Sequence, residues 1–422
     1  MKRLRQKWND PSKALQFNAF LRLGIQILLG IIPVKIGYAV NETSQLELYL
    51  FYGAALSFFT TNALNKTLLT NNAEKSEFTI LLSSIVLAFV SAILAFYIAN
   101  EVNELSPLLL SGLVLTLPLA NSIEHFILIH RKIKALYSFS FIYATLYLFV
   151  ICLLFFQQRS ISEVISAIIV IHLLKSLLVL VFAKARRPLN FQSDLFQTYM
   201  SFVGIALLGG LMNYLDGFIL NYLYPEYPFS VFRYGARELP FLNIIFTSLA
   251  AGFILTIQKQ ADWASQMKKR LHILLLWSFP FVGVLFFISP YAYEWAFSTE
   301  YRISATFFNI YLFMLLFRVM IGQSILMAYR KEKILLILSG IELIANMVLS
   351  IILGIIWGVF GIMSATVLAY AIHKILLLIY LKRKMGLRIG NFFPLKSYIA
   401  LASMLILSFY LSWKINFGEI WP

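Results

Sequence analysis

"ATFFNIYLFMLLFRVMIGQSILMAY" runs from Ala305 to Tyr329, and Arg318 is its one charged residue. A helix needs about 20 apolar residues to cross a bilayer, at 1.5 Å each. This stretch is long enough, and it places a guanidinium near its middle, too far from either end to snorkel easily. Apolar runs of similar length recur along all 422 residues. The chain is 60% hydrophobic and 13% charged, with a mean hydropathy of +0.80. Soluble domains are roughly a quarter charged. The fold class read from these numbers is an all-α polytopic membrane protein.

Thirteen spans are expected, over 16–39, 45–68, 78–99, 107–129, 135–156, 163–183, 195–223, 230–257, 271–292, 305–328, 334–356, 359–381 and 396–413. The loops between them are short and leave no room for a soluble domain. They alternate in sign. One set holds Lys2, Arg3, Arg5, Lys7, Lys75, Arg131, Lys132, Lys184, Arg186, Arg187, Lys268, Lys269, Arg270, Arg330, Lys331, Lys382, Arg383 and Lys384; the other holds Glu42, Glu101, Glu104, Glu226, Glu294 and Glu300. The positive-inside rule then puts the N-terminus in the cytoplasm. The net charge of +16 is read as topology and attraction to anionic lipid, with no nucleic acid as partner. The basic N-terminus precedes a retained first helix rather than a cleaved signal. Cys152 is the single cysteine, so no intrachain disulfide forms.

The chain repeats itself. "LGIQILLGIIPVKIG" (23–37) and "VGIALLGGLMNYLDG" (203–217) share Gly24/Gly204, Ile25/Ile205, Leu28/Leu208, Gly30/Gly210 and Gly37/Gly217. "FYGAA" from Phe51 corresponds to "RYGAR" from Arg233, and "HLLKSLLVL" (172–180) to "IHKILLLIY" (372–380). Six spans per unit make the repeat parallel, with a pseudo-two-fold axis along the membrane normal. The expected organisation is an N-lobe over 1–190, a C-lobe over 191–390 and an extra C-terminal span over 391–422. Transport folds commonly place the substrate where such repeats meet and rock one against the other.

Ionisable residues at bilayer depth cost roughly 2.5–3.5 kcal/mol each on insertion scales and usually mark a partner or a wet cavity. Arg22, Lys35, Arg233, Arg237 and Arg318 form the expected cationic substrate-binding set. Arg233 also stands about one turn from a span end, where it can snorkel. Arg233 and Arg237 share one helix face and are expected to hold an anion between them or to meet Asp216. Pro240 is expected to kink the span around them. Asp216, Glu238, Glu342 and Glu124 are candidates for ion coupling or charge pairing, Glu342 either as a proton or cation site or as the partner of Arg318. Lys66, Lys175 and Lys374 are expected to snorkel. The balance is net basic, which suits an anion such as a phosphate or pyrophosphate, for which arginine offers a planar, permanently charged fork.

The blocks "LDGFILNYLYPEYPFSVFRYGARELPFLNIIFTSLAAGF" (215–253) and "GVFGIMSATVLAYAIHKILLLIYLKRK" (358–384) resemble the multidrug/oligosaccharidyl-lipid/polysaccharide (MOP) exporter superfamily, on its Wzx-like polysaccharide-transporter branch. The resemblance implies a flippase, not an enzyme. It would carry undecaprenyl-(pyro)phosphate-linked oligosaccharides from the cytoplasmic to the outer leaflet of a bacterial inner membrane, for surface polysaccharide such as O-antigen. It further implies a V-shaped pair of bundles around a cationic cavity, a proton or sodium gradient as driving force and no cofactor. The implied partners are the lipid-linked glycan, membrane lipids and polysaccharide polymerase machinery. This chain departs from the pattern in its thirteen spans, where twelve or fourteen is usual, and in lacking an arginine in span two. Two rivals remain. A drug or cation antiporter of the same fold, MATE-like, predicts acidic rather than basic residues in the N-lobe. A membrane glycan polymerase or ligase predicts a large external loop. No metal-ligand set is apparent.

Overall fold

A chain with so few charges satisfies its backbone in lipid by forming helices, because each helical N–H and C=O is bonded within its own segment. The computed structural model describes residues 11–68, 77–102, 104–129, 133–182, 193–236 and 240–417, and among them there is no strand. Arg237 and Glu238 lie outside the described residues, as do residues 2–7 and the loop cations Lys75, Arg131, Lys132, Lys184, Arg186 and Arg187.

The helices are α1 (Pro11–Ile36), α2 (Val40–Leu68), α3 (Glu77–Glu101), α4 (Pro107–Ala120), α5 (Ile123–Ile129), α6 (Ile133–Phe156), α7 (Ile161–Phe182) and α8 (Ser193–Leu223). They continue with α9 (Phe229–Gly235), α10 (Pro240–Lys259), α11 (Trp263–Ala296), α12 (Arg302–Leu312), α13 (Met314–Arg318), α14 (Gly322–Ala328), α15 (Glu332–Lys384), α16 (Ile389–Phe392) and α17 (Leu395–Phe417). The contacts divide the chain into two units, Met1–Tyr214 and Leu215–Pro422, so the division falls within α8.

Each expected span coincides with helix, but several differ in form. Among the described residues, nine helices are long and apolar enough to cross a membrane, and one bent pair, Thr299–Arg318 with Gly322–Ala328, passes the same test at a 46° bend. α2 is 29 residues long and too polar to be counted with them. Its Thr43, Ser44, Glu47, Ser57, Thr60 and Thr67 are buried, and several hydroxyls bond carbonyls one turn back, as Ser57 Oγ does to Gly53 O at 2.7 Å. A helix sheltered by protein carries such residues; one facing lipid does not. α15 folds back at Gly358, whose φ of 62° and ψ of −146° suit glycine. Its two legs, 332–357 and 359–384, are the eleventh and twelfth expected spans. The eighth is interrupted rather than simply kinked: α9 stops at Gly235, and Pro240 opens α10, where its missing N–H costs nothing.

The repeated YGA has a packing reason. A Cβ on Gly53 of α2 would stand 2.6 Å from Leu113 Cδ2 on α4, and a Cβ on Gly235 of α9 would run into the Ser304 carbonyl and Phe307 of α12. In each unit the second span approaches the fourth through a glycine. The longer match is less faithful. Gly37 terminates α1 at φ 103°, with Tyr38 N–H bonded to Pro33 O, whereas Gly217 sits inside α8.

The final span is integral to the second unit. Tyr398 Oη donates to Leu316 O at 2.9 Å, and Ser412 Oγ donates to Phe286 O at 2.6 Å. Leu405 joins Phe279, Phe286 and Leu316 in that unit's apolar core. In the first unit a separate core gathers Ala63, Leu64, Phe126, Leu136 and Tyr199.

Candidate functional site: three buried carboxylates

The first unit is organised around Glu124. Pro118 lies near the end of α4, which stops at Ala120, and α5 restarts at Ile123 with Glu124 in its first turn. The interruption leaves the Asn121 carbonyl without a helical donor, and Arg22 on α1 supplies one. Its Nη2 donates to Asn121 O at 3.0 Å and to Glu124 Oε2 at 2.8 Å. Lys175 on α7 donates to the other oxygen, Oε1, at 2.8 Å. Glu124 is fully buried, Lys175 is 3% exposed and Arg22 is 34% exposed. Lys175 therefore does not snorkel; its ammonium stays inside, 3.9 Å from the centroid of the Tyr143 ring. One carboxylate faces an arginine and a lysine, so with both side chains protonated the cluster is net positive.

The second unit holds Asp216 on α8. It accepts hydrogen bonds from Tyr311 Oη on α12, from Thr366 Oγ1 at 2.6 Å and from Asn346 Nδ2 at 3.2 Å, the last two from opposite legs of α15. Ser350 Oγ in turn donates to Asn346 Oδ1 at 3.1 Å. All these donors are neutral. Arg233, half-buried in the last turn of α9, acts on Asp216 through its charge. Hydroxyls and an amide orient the buried carboxylate, and the charge of Arg233 bears on it.

The third carboxylate is Glu342, hydrogen-bonded to Nδ1 of His373 across the legs of α15. Lys374, next along the helix, is also buried at 2% exposure, with Nζ 4.7 Å from the Tyr370 ring centroid. It too stays inside instead of snorkelling.

Of the expected cationic set, the structure joins Arg22 to Glu124. It leaves Lys35 exposed at the end of α1 and puts Arg318, half-buried, where α13 ends before the 46° bend. Sequence reasoning did not single out Tyr311, Asn346, Ser350 or Thr366. Asn346 and Ser350 had a signal: with Glu342 they form a row of polar residues one turn apart in a largely apolar stretch of helix. Tyr311 and Thr366 had none.

The fold these helices define is that of the MOP superfamily transporters. Over 97% of its length the chain is similar to the lipid II flippase MurJ in its inward closed conformation, covering 99% of that chain with a TM-score of 0.66 at 16% identity. It is also similar to the eukaryotic MATE transporter AtDTX14, with a TM-score of 0.58 at 14% identity over 95% of this chain and 99% of that one. A third similar structure is a MOP superfamily transporter from Pyrococcus furiosus, reported for the reverse polarity of its binding pocket, with a TM-score of 0.54 at 12% identity over 89% and 96% of the two chains. At these identities the likeness is one of fold. No protein-family model and no curated protein sequence matches the chain.

Proposed function

We propose that the chain is an ion-coupled flippase for a lipid-linked oligosaccharide carried on an undecaprenyl-(pyro)phosphate-type anchor. In this reading it works by alternating access across a bacterial inner membrane, with its N-terminus in the cytoplasm. The observation that carries the proposal is the charge balance around Glu124, where one carboxylate meets both Arg22 and Lys175. The surplus positive charge favours an anionic headgroup and disfavours an organic cation. Similarity of fold to a lipid II flippase supports the same substrate class. Arg22 is the exposed member of its cluster, and Arg233, Arg237 and Arg318 are the further basic residues assigned to the anion, with Lys35 at the end of α1. Asp216 is assigned to the coupling proton or sodium ion, because it is a buried carboxylate held in place by hydroxyls and an amide.

A competition measurement separates this from the antiporter reading. The full chain in lipid nanodiscs is heated with undecaprenyl pyrophosphate, with undecaprenol or with tetraphenylphosphonium. The pyrophosphate is expected to raise Tm in a dose-dependent way and the other two are not. Protection by the cation alone would establish the antiporter instead.

A further inference from the structure

Three groups in the second unit form an arrangement that the flippase reading does not use. Glu342 on the first leg of α15 is hydrogen-bonded to His373 Nδ1 on the second. The imidazole is 1% exposed and the carboxylate side chain 11%. The other ring nitrogen, Nε2, lies 3.5 Å from the side-chain amide nitrogen of Gln323. Gln323 stands in the first turn of α14, immediately beyond the 46° bend, and is half-buried. The close approach depends on Gly322, where a Cβ would collide with Leu377, one turn beyond His373.

The chemistry of this trio is specific. A neutral imidazole has one N–H and one lone pair. With Glu342 ionised and the ring neutral, the Glu342 contact assigns the N–H to Nδ1, which leaves the lone pair on Nε2 opposite the Gln323 amide nitrogen. When a proton adds to Nε2, both ring nitrogens become donors. Glu342 then closes an ion pair, and the Gln323 amide, turned by 180°, presents its oxygen to the new N–H. A carboxamide satisfies either state without leaving a buried polar atom unpaired. The step balances: an O–H bond of hydronium breaks, an Nε2–H bond forms, water leaves and the site gains one positive charge.

The charged groups around the ring are Glu342, which bonds it, and Lys374, the next residue of α15; the charge of Arg318, at the end of α13, reaches Lys374. Tyr370 meets the ring edge-on at 6.5 Å between centroids. Glu342 and His373 lie about 15 Å along their legs of α15 from Glu332 and Lys384, counting 1.5 Å per residue. Glu124 is different in kind: its partners are an arginine and a lysine, and no imidazole bonds it.

We infer that Glu342, His373 and Gln323 form a proton-binding site, distinct from Asp216, that loads and unloads through His373 Nε2. The test uses the full chain in lipid vesicles with histidine labelled in both ring nitrogens. Nitrogen NMR is recorded against pH, and the His373 resonances are identified as those lost in His373→Gln. As the pH is lowered, His373 is expected to pass reversibly from a ring with one N–H to imidazolium, with N–H on both nitrogens. In Gln323→Leu the transition is expected to disappear or to move by at least about one pH unit. A His373 ring that keeps one protonation state throughout in the unmutated chain overturns the inference; an unchanged transition in Gln323→Leu overturns the part given to the amide. The spectra need neither substrate nor transport, so failure here and failure of the flippase reading are separate results.

Discussion

Lys175 Nζ lies 2.8 Å from Glu124 Oε1, and both side chains are closed off from solvent. The pair joins α7 to α5 in a medium where neither charge can be hydrated. Removing one partner of such a pair leaves an uncompensated buried charge and costs about 3–5 kcal/mol. Glu124→Gln strands Lys175 and loosens Arg22, whereas Lys175→Met leaves the neutral pair of Arg22 and Glu124. Thermal unfolding in detergent should therefore show a larger loss for Glu124→Gln than for Lys175→Met. In the double variant Glu124→Gln/Lys175→Met most of the single Glu124→Gln loss should return. An additive double variant would show that the pair does not couple.

The two matched glycines should respond unequally to alanine. At Gly53 the new methyl meets the flexible end of Leu113, which can turn aside. At Gly235 it meets the Ser304 backbone carbonyl, which cannot. Gly235→Ala should cost about 1–3 kcal/mol, the usual range for overpacking, and Gly53→Ala clearly less. Unfolding midpoints of the two variants against the parent chain check the order.

Asp216→Asn keeps the shape of the second unit's polar cluster and removes its charge. Gradient-stimulated transport should fall to the rate seen without a gradient, while Tm changes by only a few degrees. Thr366→Val removes the 2.6 Å donor and leaves the carboxylate in place. It should weaken coupling without abolishing it. A gradient response that survives intact in Asp216→Asn removes this residue from the coupling path.

Tyr398→Phe deletes the hydrogen bond that ties the last span to the Leu316 carbonyl near the bend. A buried carbonyl that loses its donor should cost about 1–2 kcal/mol. If the last span were a peripheral appendage, the substitution would leave the unfolding midpoint unchanged.

The sequence was most informative where one residue carries the whole signal. The run around Arg318 marks a span and the proline at 240 marks where another changes course, because each depends on local chemistry. What the sequence could not supply was pairing. Glu124 and Lys175 are 51 residues apart, and Asp216 and Thr366 are 150 apart. Nothing in either neighbourhood names the other. Lys175 and Lys374 were expected to snorkel because they stand near span ends; burial against Tyr143 and Tyr370 keeps them inside. α2 was expected as a span like the others; its buried hydroxyls and Glu47 set it apart only once its neighbours are seen to cover them.

The most direct test of the flippase reading is leaflet accessibility. The full chain is reconstituted in vesicles with a fluorescent undecaprenyl-pyrophosphate-linked oligosaccharide, and the fraction reached by an external quencher or lectin is followed over time. The prediction is exchange faster than in protein-free vesicles, accelerated by an imposed proton or sodium gradient and slowed in a chain lacking the Arg22 and Arg318 charges. Exchange at the protein-free rate, with and without the gradient, would contradict it.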